Sequence, residues 1–191
     1  MLTFRPTKSF LVKPKNNQEY NREKNGVIIT SSIENAKDVN RFGIIEKTPL
    51  SYTGDLKEGD EVVLHHNVFR SYYDIKGNER KSNEYFKDNL YLVSSNKIYL
   101  VKKNNNWVSF DDYCFVSPKA EENMAVSLGA YELHKGTVKY TNDNLICQGL
   151  TDGMEIGYTK DSEYEFEVDG EILYRMRRKD ICVELVKWEN H

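Results

Sequence analysis

Apolar positions along the chain come in short runs, each bounded by a polar cluster in which Gly, Asn, Asp, Ser or Pro recurs. Phe10-Leu11-Val12, Ile44-Ile45, Val62-Val63-Leu64, Leu90-Tyr91-Leu92-Val93 and Cys114-Phe115-Val116 are examples. Short runs rich in β-branched and aromatic residues, punctuated by turn formers, predict strands and an all-β chain. Four landmarks then recur in one order. Phe10-Leu11-Val12-Lys13-Pro14-Lys15 aligns with Cys114-Phe115-Val116-Ser117-Pro118-Lys119, and Gly43-Ile44-Ile45-Glu46 with Gly136-Thr137-Val138-Lys139. Leu56-Lys57-Glu58-Gly59-Asp60-Glu61-Val62 aligns with Leu150-Thr151-Asp152-Gly153-Met154-Glu155-Ile156. The closing hairpin of Leu90 to Leu100 aligns with Leu173 to Val183. The chain therefore reads as a tandem repeat of two small antiparallel β-barrels, residues 1–103 and 107–191, joined at the polar run Lys102-Lys103-Asn104-Asn105-Asn106.

Composition narrows the function. A net charge of -3 and pI near 5.9 offer no basic field for nucleic acid. No apolar run is long enough to span a bilayer, and the N-terminus lacks a signal-peptide core, which points to a cytoplasmic protein. Cys114, Cys147 and Cys182 are odd in number and widely spaced, as expected of reduced, packed thiols rather than a disulfide framework or zinc site. His65-His66 on a strand would aim its rings at opposite faces and share no metal. Asp111-Asp112 suits a turn. No phosphate loop, dinucleotide fingerprint or nucleophile elbow is present. The reading is of a non-enzyme without cofactors.

One loop does not fit a passive role. Gly26-Val27-Ile28-Ile29 sits inside a stretch, residues 15–38, that is otherwise almost wholly polar. Such a segment cannot bury enough surface to order itself. Either the triplet is a short buried strand, or it is displayed for another protein to bind.

The first copy resembles the GroES-type co-chaperonin family, the lids of chaperonin chambers. The resemblance rests on Arg5-Pro6 leading into Phe10-Leu11-Val12, the loop with Gly26-Val27-Ile28-Ile29-Thr30, Gly43-Ile44-Ile45, Leu56-Lys57-Glu58-Gly59-Asp60-Glu61-Val62-Val63, and the hairpin with Leu92-Val93, Ile98 and Leu100. It covers residues 3–101 and, more weakly, 112–186. It implies a chaperonin partner that binds the ATP, with Val27, Ile28 and Ile29 as contacts and Gly26 as their hinge. It also implies a homo-oligomeric, sevenfold ring in which each N-terminal strand pairs with a neighbour's closing strand.

The chain departs from that family in four places. A tandem copy does not tile an odd ring evenly, so the second barrel stands outside the ring or the ring is not sevenfold. The second copy's loop lacks the aliphatic triplet, leaving Met124, Val126 and Leu128 as secondary interface candidates. Residues 46–53 are too few for a roof hairpin. Residues 68–88 form an insertion whose Tyr72, Tyr73, Tyr85 and Phe86 interleave with charges, more in the manner of a protein interface than of a base-stacking surface. Open-roofed, divergent co-chaperonins belong to large tailed bacteriophages, so the expectation is a phage co-chaperonin for bulky capsid proteins, working in the host cytoplasm. The alternative is a non-catalytic β-barrel structural protein of a virion, and a weaker third is a binding module built on the insertion.

Overall fold

Chain reversals occur where the sequence supplies residues that tolerate a left-handed backbone. In a computed structural model of the chain, which describes residues 5–15, 23–24, 27–28, 40–119, 126–128 and 131–186, Asp88 (φ 49°) and Asn89 (φ 60°) form one two-residue hairpin turn. Asp169 (φ 50°) and Gly170 (φ 81°) form another. Positive φ at both positions is the turn whose twist matches paired strands. Asn104 (φ 49°) and Asn105 (φ 66°) repeat the pattern where a linker was expected, directly after Lys102 and Lys103 end a strand.

The first half contains β1 (Phe10–Pro14), β2 (Glu23–Lys24), β3 (Val27–Ile28), β4 (Phe42–Lys47), β5 (Glu61–Leu64), β6 (Ser71–Tyr73), β7 (Glu79–Lys81), β8 (Tyr85–Lys87), β9 (Leu90–Val93) and β10 (Ile98–Lys103). β11 (Asn106–Ser109) carries the chain into the second half. There follow β12 (Tyr113–Pro118), β13 (Val126–Leu128), β14 (Tyr131–Tyr140), helix α1 (Asp143–Cys147), β15 (Glu155–Thr159), β16 (Tyr164–Val168), β17 (Glu171–Arg177) and β18 (Ile181–Glu184). Two compact units result, Met1–Asn106 and Trp107–His191. All the pairings described between these strands are antiparallel.

The two units use one topology. Six of the seven strands of the first sheet run β10-β5-β4-β1-β9-β8, and six of the seven of the second run β18-β15-β14-β12-β17-β16. Registers coincide residue for residue. Val12 faces Ile45 and Pro14 faces Gly43, as Val116 faces Val138 and Pro118 faces Gly136, and in both pairs the register slips one residue earlier, at Leu11/Val12 and Phe115/Val116. Val12 also faces Tyr91 as Val116 faces Tyr174, and Leu64 faces Ile98 as Tyr158 faces Ile181. Even the ion pair beside the glycine-led turn recurs, as Lys15–Glu61 at 2.5 Å and Lys119–Glu155 at 2.8 Å. Matching slips in matching places require equivalent packing beneath them, because a one-residue change of register would turn every side chain over.

The expected barrels do not form: neither sheet closes on itself among the described residues, and the strands at the two ends of each are not hydrogen-bonded to each other. Closure needs a full ladder between first and last strands. β8 offers three residues, with its register broken between Tyr85 and Lys87. The loop after β4 contains no strand and is tied down instead, Leu50 N–H donating to Pro6 O at 3.0 Å and Ser51 Oγ to Thr7 O at 3.2 Å.

The first core gathers Phe10, Val12, Ile45, Val62, Leu64, Phe69, Tyr91 and Leu100, all essentially inaccessible to water. The second gathers Cys114, Val116, Val138, Ile156, Tyr158 and Met176 around Leu145. Leu145 enters on α1, whose first turn is capped by Asn142: its side chain accepts from Leu145 N–H at 3.0 Å.

Candidate functional site

The insertion builds a hairpin that stands apart from the main sheet. β6 and β7 pair as a separate two-stranded sheet, with Tyr72 opposite Arg80 and Tyr73 opposite Glu79. Its tip is organised by Asp74, whose Oδ1 accepts from the backbone N–H of Lys76 and of Asn78, each at 2.9 Å. Oδ2 accepts from Asn78 Nδ2 at 3.3 Å and from Arg80 Nε at 3.1 Å. The Asn78 backbone donor first, then the Asn78 side chain, Lys76 and Arg80, hold this carboxyl below its ordinary value of 3.8, against a smaller opposing effect of desolvation. A carboxylate with a depressed folded pKa stabilises fully above its unfolded value and loses that contribution as pH falls through the folded one. The hairpin is therefore expected to loosen below pH 3.8. Protection of the Lys76 and Asn78 amides, relative to their intrinsic exchange rates, should fall there, and Asp74→Asn should remove that pH dependence.

This hairpin and the strand after it expose apolar area. Tyr73 and Ile75 are open to solvent, and Tyr72, Tyr85 and Phe86 are partly so. Lys87 Nζ lies 5.8 Å from the Phe86 ring centre. The base is anchored by fully buried Val68 and Phe69, with Phe69 meeting Tyr91 edge to face at 4.8 Å and Tyr85 meeting Tyr91 at 5.5 Å. Ser82 Oγ donates to Val68 O at 2.6 Å and locks the return of the chain. Beside this anchor lies a cavity of about 230 Å³ lined by Asn67, Arg70, Tyr72, Ser82, Glu84 and Lys97 among others. Lys97 and Glu84 form an ion pair within it. Arg70 Nε and Asn67 Oδ1 are buried without a hydrogen-bond partner among the described residues. Lys97 comes from the 3-10 turn Ser95–Lys97, outside the insertion, and nothing in its local sequence announces that meeting.

Of the sequence-predicted contact residues, Val27 and Ile28 form β3, which pairs with β2 through Glu23 opposite Ile28 and Lys24 opposite Val27. This ribbon belongs to neither large sheet. Gly26 and Ile29 lie outside the described residues, as does most of 15–38. The intervening Asn25-Gly26 dipeptide is the readable cue for that pairing, since Asn-Gly is the strongest short hairpin signal. In the second unit Val126 and Leu128 lie on β13, opposite Leu133 and Tyr131 of β14, and so join the main sheet. Met124 lies outside the described residues.

Candidate chemistry elsewhere resolves into structure. His65 and His66 follow the end of β5 rather than lying on it, so the expected opposition of their rings is replaced by a stack, 4.2 Å between centres. Asn67 N–H donates to His65 Nδ1 at 3.1 Å. Asp111 takes φ 57° and shapes the turn before β12. Among the described residues there is no group of three or more His, Cys, Asp and Glu able to hold a metal, and no helix long and apolar enough to cross a membrane.

All three cysteines are free, but only Cys114 is packed; Cys147 and Cys182 are exposed, because β18 and the end of α1 turn them outward. Burial pushes the Cys114 thiol up to about 12, with Asp112 and Asp180 adding to the shift. Since the thiolate is the reactive form, a thiol reagent at pH 8 should label two cysteines quickly and Cys114 only on unfolding. Three fast equivalents would contradict this.

No protein-family model matches the chain, and a search of curated proteins returns no significant match.

Proposed function

We propose that the chain is a divergent GroES-like co-chaperonin with two such units in tandem, phage-encoded, that engages a bacterial-type chaperonin through Gly26, Val27, Ile28 and Ile29 and assists folding without catalysis of its own. The observation that carries this reading is the β2–β3 ribbon. It holds two of the loop's aliphatic residues on a small sheet separate from the main one, whereas the second unit ties Val126–Leu128 into its main sheet. Three aliphatic side chains contribute about 4 to 9 kcal/mol when buried. Ordering roughly ten polar loop residues costs about 1 kcal/mol or more each. A single loop then binds weakly, and a ring of loops binds together and releases together. ATP belongs to the chaperonin.

The ring needs a different seam from the family's. β1 pairs with β4 along Leu11–Pro14 and with β9 along Phe10–Val12, so its middle is enclosed on both sides within the chain. The exposed face of the insertion, with Tyr72, Tyr73, Tyr85 and Phe86, supplies the seam instead; aromatic residues enriched at one patch are what interfaces use.

The test is nucleotide-dependent co-sedimentation with a purified bacterial chaperonin. Wild type should co-sediment and Ile28→Asp should lose at least ten-fold in binding. Absence of binding under every nucleotide condition would reject the reading. The same exposed aromatics also favour a second reading, a permanent structural subunit of a viral particle, for which stoichiometric presence in purified particles is the check.

A further inference from the structure

The repeat isolates what the first unit has added to its scaffold. Between β15 and β16 the second unit turns directly through residues 160–163, while the first inserts the segment that walls the cavity of about 230 Å³ between β5 and β8. The shared sheet does not need that cavity. A corresponding charge is also reversed: the 3-10 turn that supplies Lys97 in the first unit ends in Asp180 in the second.

Inside the cavity the charges do not cancel. Glu84 is engaged by Lys97, which leaves the guanidinium of Arg70, a permanent cation with a planar fork of donors. Its Nε is buried and unpaired among the described residues, as is Asn67 Oδ1. Buried polar groups in native proteins are normally satisfied, so the Arg70 donor calls for an acceptor on an occupant, while Asn67 Oδ1, itself an acceptor, calls for a donor. The volume lies below that of ordinary cofactor pockets and suits a ligand of few heavy atoms. We propose that this cavity binds a small oxyanion, a phosphate or carboxylate group, gripped by the guanidinium of Arg70. A two-donor contact from one guanidinium is the strongest neutral-pH grip such a group receives from a single side chain. This site stands independently of the chaperonin reading.

The experiment is a titration of the full chain, following the Arg70 Nε–H resonance while inorganic phosphate, succinate or chloride is added at constant ionic strength. The expected result is a saturable shift with phosphate, succinate or both, and none with chloride. Saturation by phosphate alone identifies a phosphoryl ligand, and by succinate alone a carboxylate. Arg70→Lys keeps the charge but loses the fork, and should weaken binding at least ten-fold. A linear drift identical for all three anions means a water-filled cavity and overturns the proposal, as does saturation unchanged in Arg70→Lys. Should that variant not fold, the wild-type titration decides alone.

Discussion

Phe69→Ala is expected to destabilise the first unit by about 3 to 5 kcal/mol, the range for emptying a large aromatic site that cannot collapse. The ring is wholly buried and sits edge to face against Tyr91, itself fully buried. It also closes over the β1–β4 crossing: a Cβ placed on Gly43 would come within 3.1 Å of Phe69 Cζ. β4 and β9 therefore lose contacts together, and their place inside the paired sheet limits relaxation. A domain's net stability is only about 5 to 15 kcal/mol, so the first unit should be partly unfolded at moderate temperature. Because Phe69 roots the insertion, hydrogen exchange across β6 and β7 should rise even in the folded fraction. Denaturant unfolding followed by near-ultraviolet circular dichroism measures the loss. A cost under about 1 kcal/mol, small beside the large-to-small range, would mean that the ring is not part of the core.

Gly136→Ala should cost the second unit about 1 to 3 kcal/mol through overpacking. The new Cβ would stand 2.3 Å from Val116 Cγ1 and 3.1 Å from the Ser117 carbonyl oxygen. Val116 cannot simply rotate away, because a β-branched side chain has few χ1 choices, and the carbonyl belongs to a paired strand. Each kcal/mol lowers the midpoint of a unit this size by about 4 to 8 °C. Trp107, whose Nε1 donates to Asp169 Oδ2 at 2.8 Å inside the same unit, gives a fluorescence signal for it. Combining the change with Val116→Ala should recover part of the loss, since the two residues share one clash. Wild-type stability for Gly136→Ala alone would show that the β12–β14 register is wrong. Gly43→Ala is the twin experiment, with Val12 Cγ1 at 2.6 Å.

The glycine pair also shows what could be read beforehand. Gly43 and Gly136 are legible as landmarks because they head aligned segments, and Pro14 and Pro118 because they close them. Their mutual placement, each proline opposite its glycine, came only with the strand register. The candidate site was less legible. Tyr72, Tyr73, Tyr85 and Phe86 stand out as an aromatic cluster in an insertion, and they are exposed. Arg70 in the same segment carries no distinguishing signal, and Lys97 is separated from it by four strands. The histidine pair was misjudged for a local reason: the strand stops at Leu64, one residue before alternation could separate the rings.

Local chemistry was enough to establish an all-β chain of short strands and its repeated landmarks, because alternation, β-branching and turn residues act over a few positions. What waited on the tertiary structure was partnership over long sequence separation: that β1 is enclosed by β4 and β9, that neither sheet closes among the described residues, and that Lys97 meets Glu84 beside an Arg70 Nε with no hydrogen-bond partner among the described residues. A pattern of residues says which segments become strands and which face turns inward. Which edges are consumed, and which side chains converge from distant segments, is settled only when the whole sheet competes for its hydrogen bonds.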